Sequence, residues 1–195
     1  IMSHRFPNRK DNILAGCELV KNELSKQNID IELQAAAEYY FDKYFNEKIR
    51  EKDLLTFGDN YVLFELSYTS TPFGLEQIVF ELLQSGYKPI LAHPERYTYY
   101  SSSLEKYAGL KDMGLLFQIN LNSLHKFYGA KPKLAAEYLV NNGLVDFVGS
   151  DIHGMKYFES LKSFMQSGKL SDVFEKNQIK NSFIWFSLFS FYLFL

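Results

Sequence analysis

Lys88 to Tyr100, KPILAHPERYTYY, is the stretch on which the fold turns. It reads as a short apolar strand, Pro89 to Ala92, running without a spacer into His93, Pro94, Glu95 and Arg96. Proline cannot donate a ladder hydrogen bond, so the sheet has to end near Pro94 and His93 stands at its rim. An imidazole, a carboxylate and a guanidinium therefore arrive at one strand tip. Taken alone, the same residues could equally be a core histidine beside a surface ion pair. Recurrence of the pattern along the chain decides between the two.

Working outward, Ile1 to Ser3 reads as the end of a strand delivering His4, followed by a helix from Asn12 to Gln27 with Asp11 as its N-cap. Ile29 to Ala37 alternates and then turns apolar, as a strand covered on both faces would, and Glu38 follows at once. Phe41 to Lys52 is a short helix, and Tyr61 to Phe64 is a strand closed by Glu65. Thr71 and Pro72 open a helix that Gly86 ends. Ser102 and Glu105 form a capping-box pattern for the next helix, before a strand from Leu115 to Ile119 delivers Asn120. Pro132 to Asn142 is helical, and the strand Leu144 to Val148 leads into Gly149, Ser150, Asp151, Ile152 and His153.

Strand-end polar residues thus fall at His4, Glu38, Glu65, His93, Asn120 and Asp151, spaced by roughly 30 residues, the size of one βα unit. Such alternation builds a parallel sheet with helices outside it. A (β/α) barrel brings all of its strand ends to one face, whereas a doubly wound open sheet would not bring so many round one centre. Mixed carboxylate and imidazole ligands without thiolate suit Mn, Fe or Zn, with Mg compatible. Two or three cations, each pair about 3.5 to 4 Å apart, would clamp a phosphate and activate water for phosphoester hydrolysis. Arg96 adds a planar fork matched to phosphate oxygens.

Length and composition are most simply those of one domain. The chain has 195 residues, 47% of them apolar, which is enough for a sizeable core. A net charge of -2 with both signs interspersed argues against a nucleic-acid surface. The single cysteine, Cys17, lies in a helical pattern, allows no intrachain disulfide and points to a reducing, cytoplasmic setting. A cysteine-dependent phosphatase would need that thiol in a phosphate-cradling loop instead. Tyr97, Tyr99 and Tyr100 read as pocket walls or packing, and His125, Lys126 and Tyr128 as loop residues.

AHPERY, GSDIHG, AAEYY, FELS and the opening IMSHR together resemble the bacterial tyrosine-protein phosphatases of capsule and exopolysaccharide loci, a branch of the polymerase-and-histidinol-phosphatase (PHP) superfamily. The resemblance runs from Ile1 to about Phe174. It implies an α/β fold, a PHP-type distorted (β/α) TIM-like barrel, with a manganese site of two or three ions. It also implies hydrolysis of phosphotyrosine on the tail of a bacterial tyrosine kinase that governs polysaccharide export. By the same resemblance His4, Glu38, Glu65, His93, Asp151 and His153 are metal ligands, Glu38 bridges, and Arg96 binds phosphate. His153 would also assist the leaving group. Alternatives are a non-catalytic binding domain and a PHP phosphoesterase for a small metabolite such as histidinol phosphate.

Three departures from the family pattern set further expectations. Members open with a His-x-His strand, an Asp-rich loop and a helix that have no counterpart here, so residues 1–180 read as a domain incomplete at its N-terminus. That reading leaves an edge exposed near Ile29 to Ala37, favours self-association, and implies little turnover by the chain alone. A second arginine after Asp-x-His is absent, Lys156 being the nearest cation. Phe183 to Leu195, FIWFSLFSFYLFL, carries no charge and is too short for a membrane span of about 20 residues, so residues 181–195 read as an apolar aromatic tail, a gene-boundary or reading-frame artefact in the first reading and an interfacial membrane anchor in the second.

Overall fold

The computed structural model describes residues 1–2 and 5–181, together with the backbone of Phe191–Phe194. His4 lies outside the described residues. The elements in chain order are α1 (Lys10–Lys26), β1 (Leu33–Ala36), β2 (Glu38–Tyr40), α2 (Lys43–Glu51), β3 (Tyr61–Glu65), α3 (Leu75–Gln84) and β4 (Lys88–Ala92). There follow α4 (Lys106–Asp112), β5 (Leu116–Asn120), α5 (Leu121–Leu124), α6 (Ala130–Asn141), β6 (Phe147–Gly149), α7 (Met155–Gln166), α8 (Leu170–Lys176) and β7 (Phe191–Phe194).

Strands β2 to β6 form a parallel sheet whose spatial order is the order of the sequence. A doubly wound sheet reverses its order at a switch point, and none exists here. Right-handed crossovers all running one way place the helices on one side of the sheet. The alternation of side chains shows the result. Val62, Phe64, Leu91, Phe117 and Ile119 face the helices and join the large core, while Ala36, Phe57, Tyr61, Leu63, Ile90, Ala92 and Phe147 form a second apolar cluster on the opposite face.

That second cluster shows the sheet to be curled. Tyr61 on β3 and Phe147 on β6 are three strand steps apart, about 14 Å in a flat sheet. Their rings meet edge to face with centroids 5.3 Å apart. The wall is therefore a distorted barrel, with its interior filled by side chains.

Several local expectations are corrected. Ile29 to Ala37 is not one strand: the chain breaks at Ala37, whose N–H bonds to Leu55, so β1 and β2 belong to different sheets and Glu38 begins β2 rather than following a strand. The helix expected from Pro72 starts at Leu75, because Gly74 at φ 78° turns the chain in the left-handed region. Neither Asp11 nor the Ser102 and Glu105 pair caps a helix: α1 is preceded by Arg9 and α4 begins only at Lys106, each without a side-chain cap. Asp42 does cap α2, accepting from Phe45 N at 3.0 Å.

The edge expected to be bare near Ile29 to Ala37 is paired: β7 runs parallel to β1, with Leu33 opposite Phe191 and Ala36 opposite Phe194. Phe191–Phe194 of the apolar C-terminal segment are thus strand partners of β1, and the premise for self-association is removed on that side of it. Just before it, the Asn181 amide brackets Val148, donating to its carbonyl at 3.0 Å and accepting from its N–H at 2.9 Å.

Asp146 ties this C-terminal approach to the sheet. It is buried, accepts from Phe117 N at 2.9 Å and Lys180 Nζ at 2.6 Å, and also pairs with Lys111. Removing it strands two cations and one buried N–H. Asp146→Ala is expected to cost about 2–3 kcal/mol in denaturant melts. A loss under about 0.5 kcal/mol, the ordinary range for surface changes, would show that these contacts are not coupled to the core.

Candidate metal centre

The inward-facing positions of β2 and β3 carry acids near the barrel mouth. Glu38 stands opposite Leu63 of the interior cluster in the parallel register, and Glu65 shares its face with Tyr61 and Leu63. By the same alternation Ile90 and Ala92 of β4 point inward, so His93 would point outward. It does not, because its backbone is left-handed, φ 33° and ψ 55°. That conformation is costly for a non-glycine residue and turns the imidazole toward the two acids. Pro94 then starts a short 3-10 turn.

The three side chains meet. His93 Nε2 lies 3.2 Å from Glu38 Oε1 and 3.5 Å from Glu65 Oε2, and the ring is buried while both acids are partly open. Among the described residues, Glu38, Glu65 and His93 are the group offering ligand atoms within 4.8 Å of one another. Burial alone would raise the Glu38 carboxyl, but the hydrogen bond and charge of His93 hold it below the ordinary carboxylate value. Glu65 goes the other way: burial and then the neighbouring Glu38 charge push its carboxyl up. His93, despite burial, is raised by Glu38. Two carboxylates and one imidazole nitrogen in this space fit a divalent cation, which would relieve the repulsion that Glu65 feels. Tyr68 stacks on His93 with centroids 5.5 Å apart and donates to Glu65 Oε2 at 3.2 Å.

A second group gathers around Asp151, whose backbone is also left-handed at φ 47°. Its Oδ2 accepts from Arg96 Nη1 at 3.0 Å, Asn120 Nδ2 at 2.7 Å and Tyr128 OH at 3.3 Å. Its Oδ1 lies 3.3 Å from His153 Nδ1, and that imidazole is largely exposed. Arg96 joins the two groups, bonded to Asp151 and lying over the ring of Tyr68, which touches Glu65 and His93, although Asp151 and His153 stand outside the compact three-ligand set.

The sequence reading missed several members of this site. Asn120 was noted as a strand end, but its hold on Asp151 needs the β5 and β6 register, Asn120 opposite Gly149, that only the fold supplies. A Cβ at Gly149 would push aside the Gln118 amide, whose Nε2 donates to Asn120 Oδ1 at 2.9 Å. Glu95 and Arg96 are not a surface ion pair: Glu95 is buried, with Oε1 accepting from Asn120 N at 3.0 Å and Ser123 Oγ at 2.6 Å. Tyr68 and Tyr128 come from loops whose convergence no spacing predicts. Tyr97 is buried packing, its hydroxyl donating to Ala92 O at 2.8 Å and accepting from Leu66 N at 2.9 Å.

Because Glu65 is held against Glu38, Glu65→Gln should stabilise the EDTA-treated protein by about 1 kcal/mol, whereas His93→Ala, leaving two acids facing each other, should destabilise it by about 1–3 kcal/mol. Chemical denaturation of the three proteins checks both signs. Destabilisation by Glu65→Gln would contradict the repulsion.

Comparison with known proteins agrees with this geometry. The profile of the family described as capsular polysaccharide synthesis, CpsB/CapC, matches residues 1–161. CapC of Staphylococcus aureus is 25% identical over 184 residues, covering 85% of this chain and 72% of CapC. The tyrosine-protein phosphatase CpsB of Streptococcus pneumoniae is 32% identical over 145 residues, covering 70% of this chain and 58% of CpsB, so the chain spans less than two thirds of that relative. A solved structure, from work on YwqE of Bacillus subtilis and CpsB of Streptococcus pneumoniae described as unique metal-dependent tyrosine phosphatases, superposes with a TM-score of 0.74 at 24% identity. It covers 87% of this chain and 70% of its own, and the likeness shows the shared fold. The chain belongs to the CpsB/CapC family of capsular polysaccharide synthesis.

Proposed function

We propose that the protein is a metal-dependent protein-tyrosine phosphatase. The observation that carries the reading is the meeting of Glu38, Glu65 and His93 within 4.8 Å at the mouth of a barrel, beside an arginine with donors to spare. Glu38, Glu65 and His93 would hold the cation, with Asp151 and His153 completing its shell, His4 as a further ligand and Glu38 as the bridge if more than one ion binds. Manganese, as two or three ions, is the proposed metal. Iron, zinc or magnesium suits the same oxygen and nitrogen donors. A divalent cation there supplies Lewis acidity to phosphoryl oxygens and lowers the pKa of a water molecule.

The chain's own residues do the rest. Arg96 binds the phosphoryl oxygens through the N–H groups that Asp151 leaves free. Asn120 and Tyr128 hold Asp151 in place by their bonds to Oδ2. His153, its Nδ1 within 3.1 Å of Asp151 O, has Nε2 left for one of two roles, joining the cation's shell or protonating the leaving phenolate. Phenolate, with a conjugate-acid pKa of about 10, needs only modest help. The proposed substrate is phosphotyrosine on a tyrosine kinase of capsule or exopolysaccharide synthesis, in the cytoplasmic setting suggested by the single cysteine. Among the described residues no helix is long and apolar enough to cross a membrane.

With the family's His-x-His strand supplied ahead of Ile1, the protein should hydrolyse a phosphotyrosine peptide faster than histidinol phosphate, with stimulation by Mn2+ and loss in EDTA. Asp151→Ala and His93→Ala should abolish turnover, and Arg96→Ala should lower kcat/KM by about 10²-fold or more. Turnover that survives EDTA or Asp151→Ala would overturn the metal assignment. Preference for histidinol phosphate would favour the small-metabolite reading, and peptide binding without hydrolysis the non-catalytic one.

A further inference from the structure

The most constrained cation in the mouth is Arg96. Its guanidinium carbon lies 4.7 Å from the centroid of the Tyr68 ring and 4.2 Å from that of Tyr128, so the planar group is held between two aromatic faces. The two rings come from different loops, one between β3 and α3 and one between α5 and α6, and each is anchored at its hydroxyl. Tyr68 donates to Glu65 and Tyr128 to Asp151. Tyr128 is further backed edge to face by Phe127, with centroids 5.0 Å apart, and by Tyr157 at 6.3 Å. Among the described residues the Arg96 guanidinium donates to Asp151 alone.

This arrangement does two things at once. It restrains the guanidinium, so that the N–H groups Asp151 leaves unused are held rather than sweeping through solvent. It also makes the approach to Arg96 aromatic on both sides. An oxyanion bound by Arg96 must carry its substituent past the tyrosine faces, where a flat ring gains stacking contact and a short alkyl group gains little.

We propose that Tyr68 and Tyr128 form an aryl-recognition slot, positioning Arg96 and selecting phosphoesters whose oxygen is attached to an aromatic ring. The proposal rests on the phosphatase reading above and goes beyond it by naming the side chains that discriminate aryl from alkyl substrates. Tyr128 is the cleaner probe, since Tyr68 also touches Glu65 and His93.

Calorimetric titration of the Mn2+-loaded protein with phenylphosphonate and with methylphosphonate tests it without turnover. The wild-type protein should bind the phenyl compound about tenfold more tightly. Tyr128→Phe, which keeps the ring and loses the bond to Asp151, should retain that preference. Tyr128→Leu should bring the two ligands to within about twofold of each other, every variant being brought to the same manganese loading before the titration and Tyr128→Phe serving as the control for the lost bond to Asp151. Tyr68→Leu provides the same reading from the opposite face should the Tyr128→Leu protein not fold. Equal affinities in the wild type, or an undiminished phenyl preference in the leucine variants, would overturn the slot and leave the phosphatase reading standing. Failure of the wild type to bind either phosphonate would overturn both.

Discussion

Two carboxylates are forced to face one another across a single imidazole, and most of this structure can be understood as the means of holding them there. Glu38 and Glu65 lie on inward positions of neighbouring strands, with Glu38 opposite Leu63 and Tyr40 opposite Glu65 in the register. In a flat sheet two such positions would share a face with His93 but not a centre. The curl that brings Tyr61 against Phe147 also draws the strand ends together. The interior apolar cluster is thus a structural condition of the metal centre, since loss of its volume would let the wall relax. The left-handed backbone at His93 is the other condition, because without it the imidazole would fall on the helix-facing side.

Around that centre, polar groups are arranged so that no acid is left to itself. Glu65 has Tyr68, Asp151 has Arg96, Asn120 and Tyr128, and buried Glu95 has Asn120 N and Ser123. These contacts form a connected path from the β4 tip through β5 to the loop after β6. Gly149 and Gln118 are part of it, because the absence of a side chain at 149 makes room for the amide that orients Asn120. The pair Gly149 and Asp151 in GSDIHG is therefore explained by two different needs, close approach at one position and a left-handed turn at the other.

How much of this was legible in the sequence follows from what each residue depends on. The β4 tip was legible because proline after an apolar run stops a ladder whatever the rest of the fold does. The barrel-type alternation was legible because roughly 30-residue spacing has few other interpretations. Glu38 was identified, but its setting was misread: alanines at 35–37 carry no turn signal, so the break between β1 and β2 was invisible. The pairing of β7 with β1 joins segments over 150 residues apart and has no local signature. Tyr68 and Tyr128 look like ordinary loop tyrosines until the fold sets them on either side of Arg96. Their role depends wholly on tertiary convergence.

The central claim is that the Glu38, Glu65 and His93 cluster binds a divalent cation, and the most direct measurement is titration of Mn2+ into the EDTA-stripped, dialysed protein while the sharp electron-paramagnetic-resonance signal of free Mn2+ is followed. The account predicts suppression of that signal to a stoichiometric end point in the wild type, with affinity for at least one ion falling by about tenfold or more in both Glu65→Gln and His93→Ala. A free-ion signal rising from the first addition in the wild type, or identical titrations in all three proteins, would contradict it.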